Sequence, residues 1–200
     1  GSETGDAVCD VLFGDKSPSG ILTMSMPQNM GQIPVYYNHL NTGRPVEENI
    51  QKFAKFQSNY LDVRNEPLYP FGYGLSYTTF QYSDVTLSSD QMKIDGTITA
   101  SVTIKNTGHY DADEVVQLYI RDVVGSISRP VKELKGFQRI HLNAGESRTV
   151  TFKITSDLLK FYDYHLNDVI EPGDFDIMIG PSSRDVKKKR VSVLAFSAGS

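Results

Sequence analysis

Tryptophan is absent from this 200-residue chain, and cysteine occurs once, at Cys9. A single thiol excludes an intrachain disulfide and any zinc site built on two or more cysteines. Charge of one sign is missing too: 20 Lys and Arg stand against 24 Asp and Glu, a net charge of −4. That balance leaves no basic footprint for nucleic acid. No apolar run approaches the ~18–20 residues that cross a bilayer, so no membrane partner is expected. No charged-then-apolar leader opens the chain. Gly1-Ser2 reads as a cloning remnant, so a missing leader is silent about compartment. No Asn-x-Ser/Thr acceptor occurs either. The four histidines (His39, His109, His141, His165) are scattered, with no pair at metal spacing. The Gly72-x-Gly74 pair lacks the third glycine and following helix of a phosphate loop, and no serine nucleophile elbow is present. The reading is a soluble, ordered chain with neither metal nor cofactor.

What is there changes character along the chain. Thr4 or Asp6 can cap a short helix that puts Ala7, Val8, Val11 and Leu12 on one face, with Cys9 on or near its buried side and Gly14 as its stop. Asp15 to Gly20 is turn chemistry, and Ile21 to Met26 reads as a short strand ending at Pro27. One helix and one strand cannot bury their own faces, so these elements demand partners. Residues 28 to 66 hold no sustained period, and long loops of this kind are usually functional or tied to a neighbouring domain. In Phe71-Gly72-Tyr73-Gly74-Leu75-Ser76-Tyr77 the large residues share one parity and the small ones the other. One face is therefore aromatic, and the other admits a second backbone.

Beyond Ser83 the period is two. Ile98 to Ile104, Val116 to Ile120, Ile140 and Leu142, Val150 to Ile154, Phe175 to Ile179 and Val191 to Ala195 alternate, with turns at Asn106-Thr107-Gly108, Asn143-Ala144-Gly145 and Pro172-Gly173. This is the pattern of an immunoglobulin-like β-sandwich. Ser156-Asp157 opens one helical turn, with Asp157 as its cap. The division expected is an α/β remnant over 1–27, a linker over 28–82 and a sandwich over 83–197, a mainly β fold.

Chemistry is sparse. Glu114, Glu133, Glu146 and Glu171 fall at strand starts or beside turns, where solvation is the default, and spacing selects no pair of carboxylates for sugar hydrolysis. Asp111-Ala112-Asp113-Glu114 lacks the glycine and distal Glu of a calcium loop and reads as a polar turn. His141 points outward from a strand. Lys187-Lys188-Lys189-Arg190 guards a sheet edge rather than marking a polyanion site. Most aromatics have inward parity. Tyr36, Tyr37, Tyr69 and Phe71 lie outside the regular strands, and His39 stands in the irregular loop beside two of them.

The ordered motifs carry more. Gly5-Asp6-Ala7-Val8, Val11 to Asp15 and Pro18-Ser19-Gly20, followed by Gln32-Ile33-Pro34-Val35-Tyr36-Tyr37-Asn38-His39 and Thr42-Gly43-Arg44-Pro45, resemble the end of the second domain of a glycoside hydrolase family 3 β-glucosidase. Leu68 to Thr78 is similar to that family's junction into its third domain. Ser128 to Phe137, Ala144-Gly145-Glu146 and Glu171 to Phe175 are similar to its fibronectin type III-like domain. Thr23 stands where the family commonly has Pro, and Met26 where it commonly has Phe. Phe175 has no hydroxyl for a tyrosine corner.

The resemblance implies a parent that removes β-linked glucosyl units with retention, through a glycosyl-enzyme intermediate. Its nucleophilic Asp and acid/base Glu belong to segments with no counterpart here, so no catalytic residue carries over. Two roles follow. In the first, Tyr69, Phe71, Tyr73, Leu75 and Tyr77 pack the sandwich against the parent's catalytic domains, as an accessory, stabilising part. In the second, Tyr36, Tyr37, His39 and Arg44 line a distal subsite for a β-glucan or oligosaccharide.

Overall fold

The computed structural model describes residues 2–39, 65–123, 131–162 and 168–195. The chain opens with helix α1 (Thr4–Leu12) and a single 3₁₀ turn (Met30–Gln32). Eleven strands follow, and they are short at first: β1 (Phe80–Tyr82), β2 (Thr86–Leu87) and β3 (Gln91–Lys93). The long ones are β4 (Thr97–Asn106), β5 (Ala112–Asp122), β6 (Glu133–Leu142) and β7 (Ser147–Thr155). After the short helix α2 (Ser156–Leu159) come β8 (Phe161–Tyr162), β9 (Asp168–Val169), β10 (Gly173–Gly180) and β11 (Lys187–Leu194).

Two sheets make the sandwich. In the four-stranded sheet β4 is central, with β7 on one side and β1 and β2 on the other. The five-stranded sheet runs β3-β11-β10-β5-β6, and β8 and β9 form a separate ribbon. All pairings are antiparallel except β11 with β3. The fold is mainly β, a two-sheet sandwich, in keeping with the period-two runs.

Alternation explains the four-stranded sheet completely. Ile98, Ala100, Val102 and Ile104 of β4 and Val150, Phe152 and Ile154 of β7 enter the core. Their neighbours present a hydroxyl ladder to solvent, Ser101 to Thr151 at 2.9 Å and Thr103 to Thr149 at 3.0 Å. The five-stranded sheet differs. Val116, Leu118 and Ile120 meet the core, yet Gln117 and Tyr119, on the opposite face, are buried as well. Asp176, Met178 and Gly180 of β10 repeat the effect. A strand buried on both faces has something packed over its outer side.

Over β5 that cover is the N-terminal part, which meets Gln117 and Tyr119. Residues 21–26 and 69–74 run antiparallel, joined at Ile21 with Gly74 and Met26 with Tyr69. Leu22 N donates to Tyr73 O at 2.7 Å and Gly72 N to Leu22 O at 2.8 Å. These are isolated bridges, so the strand expected over Ile21 to Met26 does not form as a continuous element; turns interrupt both partners. The close approach anticipated on the small-residue face is real. A Cβ at Gly74 would lie 2.7 Å from Gly20 O, and one at Gly72 only 2.1 Å from Gln117 Oε1.

Four other expectations are corrected. Cys9 is exposed, and α1 buries none of its residues: Val8 and Leu12 of its apolar face stand in solvent. The caps expected for the two helices are not made: Glu3 and Thr155 hold the N-cap positions without a side-chain bond, and Ser156 Oγ instead donates to Ile94 O at 2.6 Å. The polar turn read at 111–114 ends at Asp111, since β5 begins at Ala112. The basic run of β11 guards an edge only in part. Pairing with β3 begins at Ser192, beyond the run, and Arg190 Nε meanwhile bonds the buried Asp176 Oδ1 at 2.9 Å.

Candidate functional site

The junction between the N-terminal part and the sandwich gathers the polar hub, the stacked aromatics and most of the sequence-selected residues. Its base is ordinary backbone chemistry. Gln32, fully buried, accepts Gln28 N through Oε1 at 2.7 Å and donates from Nε2 to Glu66 O at 2.7 Å. Arg184, after β10, donates to Pro67 O at 2.6 Å. The 66–67 backbone is thereby fixed before the aromatics are placed.

Tyr37 is the wedge. Its ring stacks on Phe71 with centroids 4.3 Å apart and meets Tyr119 edge-on at 5.9 Å. Its hydroxyl accepts Leu134 N at 3.3 Å, and Val131 N donates to His39 O at 2.9 Å. Two amides at the start of β6 thus hold the 37–39 segment. Aromatic pairs of this kind contribute about 0.5–1.5 kcal/mol beyond the area they bury.

Gln117 is the hub beneath. Tyr119 Oη donates to Gln117 Oε1 at 2.6 Å, while Gln117 Nε2 donates to Gly72 O at 3.2 Å and Pro181 O at 2.5 Å. Every side-chain polar group of that buried amide is used. Ser183 N adds a bond to Phe71 O at 2.9 Å, and Lys132 Nζ one to Ser183 O. Burial, with the Tyr37 phenol beside it, pushes Tyr119 far above the ordinary tyrosine range. It therefore serves as a hydrogen-bond donor and not as a base.

The other selected residues divide. Tyr36 is 65% exposed and His39 is exposed, so the loop presents both outward while Tyr37 turns in. Arg44 lies outside the described residues. Tyr69 and Tyr73 pair their rings at 4.9 Å. Tyr77 Oη donates to Val11 O at 2.8 Å, tying the junction to α1. Leu75 stands 70% exposed.

Sequence reading missed three groups. Gln117 and Tyr119 were legible only as members of the unbroken run Val115 to Ile120, which departs from strict alternation and marks a strand covered twice. Asn106, at the expected turn, is fully buried: its Oδ1 accepts Thr78 Oγ1 at 2.6 Å and its Nδ2 donates to Tyr110 O at 2.8 Å. Glu114 is not a solvated strand start. Tyr82 Oη donates to its Oε1 at 2.7 Å, and burial raises both groups above their ordinary values. Beside it, Asp113 binds Arg139 at 2.5 Å and His141 at 2.7 Å. Burial alone would raise Asp113, but those two partners hold it below the usual carboxylate range. Among the described residues no cluster of three His, Cys, Asp or Glu could hold a metal.

Residues 1–77 match the Glycosyl hydrolase family 3 C-terminal domain, and residues 114–183 the Fibronectin type III-like domain. A periplasmic beta-glucosidase of Salmonella typhimurium is 54% identical over 194 residues, which is 97% of this chain and 25% of that protein. Thermostable beta-glucosidase B of Acetivibrio thermocellus is 41% identical, over 94% of the chain and 25% of its own length. The crystal structure of a Listeria innocua beta-glucosidase in complex with glucose is 48% identical and superposes with a TM-score of 0.88, over 94% of this chain and 26% of that one. The chain therefore spans about a quarter of the length of these relatives.

Proposed function

The chain belongs to glycosyl hydrolase family 3, and on that premise we propose that it is the non-catalytic C-terminal accessory part of a retaining β-glucosidase acting on β-glucosides and oligosaccharides. Its partners are then the catalytic domains of the same enzyme. The division into an α/β remnant (1–27), a junction (28–82) and a sandwich (83–197) belongs to this reading.

One observation carries it. Of 15 exposed large hydrophobic residues among those described, 12 lie between Val8 and Tyr77, including Leu12, Phe13, Met30 and Leu75. The sandwich, which holds every buried hydrophobic residue among those described, exposes only Tyr110, Phe137 and Leu194. Exposed apolar surface gathered in one part of a chain supports a docking face, and here most of it falls in the part that matches the family's C-terminal domain. The sandwich holds that part through Gln117, Tyr119 and Ser183, which meet Gly72, Tyr37 and Phe71. It stabilises what the apolar face docks against. Deleting residues 83–200 from a full-length enzyme carrying this chain should lower its melting temperature and solubility. Unchanged melting with unchanged kinetics would count against the role.

A second reading rests on the outward Tyr36 and His39. With Tyr37 anchored, the exposed Tyr36 and His39 would meet a glycan at a distal subsite, together with Arg44. Tyr36→Ala in the full-length enzyme should then raise KM for longer oligosaccharides more than for disaccharides. Equal effects on both would dismiss it.

A further inference from the structure

Gln117, Tyr119 and Arg121 of β5 are two apart and therefore share the outer face of the five-stranded sheet. Gln117 meets Gly72, and Tyr119 meets Tyr37. Arg121 differs. Its Nε is buried without a hydrogen-bond partner, and among the described residues its side chain makes no hydrogen bond, ion pair or ring contact. We propose that Arg121 is a docking point for the carboxylate of an Asp or Glu side chain in the part of the enzyme outside this chain. The proposal rests on the accessory reading and adds a contact through which the sandwich itself holds its parent.

The neighbours explain why the guanidinium is left over. Arg121 stands opposite Asp176 in the pairing of β5 with β10. Asp176 is committed elsewhere: buried itself, it binds Arg190 Nε through Oδ1 at 2.9 Å, and its Oδ2 lies 3.7 Å from Lys188 Nζ. Asp174, the next acid on that face of β10, accepts Ser192 Oγ at 2.6 Å and lies 3.9 Å from Arg190. Lys132, just before β6, gives its Nζ to Ser183 O. Cations thus outnumber acids on this part of the face, and Arg121 is the cation among them for which no described acid is left.

Chemistry selects the partner. A guanidinium taken out of water without a counterpart is costly, and its fork of donors fits a carboxylate in a bidentate pair. Two observations put that acid in the rest of the enzyme. The face already packed at Gln117 and Tyr119 runs on along one strand to Arg121, so the interface is continuous with it. The chain also spans only about a quarter of the length of its relatives, which leaves most of an enzyme to supply the acid.

Thermal melts of Arg121→Met and Arg121→Lys, each made in the 200-residue chain and in a full-length enzyme carrying it, test the pairing. In the isolated chain Arg121→Met should leave the melting temperature unchanged or raise it, since an unpaired buried charge is removed. In the full-length enzyme it should lower melting by about 3 °C or more, because the partner acid is then buried alone. Arg121→Lys keeps the charge without the fork and should lower it less. The full-length loss should shrink as pH falls from about 7 to about 3 and the partner takes up a proton. Asp174, Asp176, Lys132, Lys188 and Arg190 neighbour Arg121 in both settings, so the isolated chain corrects for their titration. A loss as large in the isolated chain as in the full-length enzyme, no loss in the full-length enzyme, or a loss that pH leaves unchanged would overturn the proposal. Deletion of residues 83–200 reads the accessory role separately: if it lowers melting while Arg121→Met does not, the pairing alone fails.

Discussion

Gln117, in the middle of β5, holds the carbonyl of Gly72 from across the junction, 3.2 Å away and 45 positions apart in sequence. The bond joins the outer face of the sandwich to a turn whose geometry demands glycine. Gly72 has φ +80° and no room for a Cβ, so both backbone conformation and packing fix its identity.

Gly72→Ala should therefore destabilise the chain by about 2–4 kcal/mol, combining positive-φ strain with displacement of the Gln117 amide. Urea denaturation followed by circular dichroism measures it. Gly145→Ala is the control: it shares a positive φ but has open space around it, so it should cost only about 1 kcal/mol.

Gln117→Leu keeps the volume but leaves the Gly72 and Pro181 carbonyls and the Tyr119 hydroxyl without this partner. The expected loss is about 3 kcal/mol or more, on a basis of ~1–3 kcal/mol for each polar group left buried and unpaired. Tyr119→Phe alone should cost about 1 kcal/mol. Additive losses in the double variant would argue against a shared network.

Tyr37→Ala removes the ring between Phe71 and Tyr119 and the acceptor of Leu134 N. Amide exchange at Val131 and Leu134 should accelerate at least about tenfold, while β4 and β7 amides keep their protection. Tyr37→Phe retains the stack and should raise exchange at Leu134 alone. Exchange rising equally across the sandwich would show that Tyr37 acts globally and does not latch one segment.

Two neighbouring acids should answer pH oppositely. Asp113 has a lowered folded value, so its contribution is full above the ordinary carboxylate range and is lost as pH falls through that lowered value. Asp113→Asn should flatten the acid limb of a stability profile. Glu114 has a raised folded value, so its penalty is absent below its ordinary value of 4.5 and grows as pH rises toward the folded one. Glu114→Gln should leave acid stability unchanged and increase stability near neutrality. Thermal melts from pH 3 to 8 would separate the two.

Phe13→Asp tests the docking face. Phe13 is 82% exposed, so the isolated chain should lose less than about 0.5 kcal/mol and self-associate less. In the full-length enzyme the same change should lower the melting temperature, because a charge would then be buried without a partner. No difference between the two settings would place the face in solvent in both.

The strands of the sandwich were legible because their code is local. Ile98 to Ile104 alternate, and alternation on a pleated chain assigns faces without any knowledge of the partner strand. The family motifs were legible for a related reason: Pro34, Gly72 and Gly74 are read from their sequence context alone. Tyr37 and Phe71 could be selected as aromatics outside the strands, but not as a stacked pair.

Sequence alone thus determined the mainly β architecture, the core parity and the family. Each rests on a residue's nearest neighbours along the chain. Tertiary structure decided that β5 is buried on both faces, that Gln117 and Asn106 are hubs, that Glu114 is a desolvated acid and that Cys9 is exposed. Those properties depend on groups brought together from distant positions, and burial, which sets both hydrogen-bond demand and proton affinity, exists only once they have met.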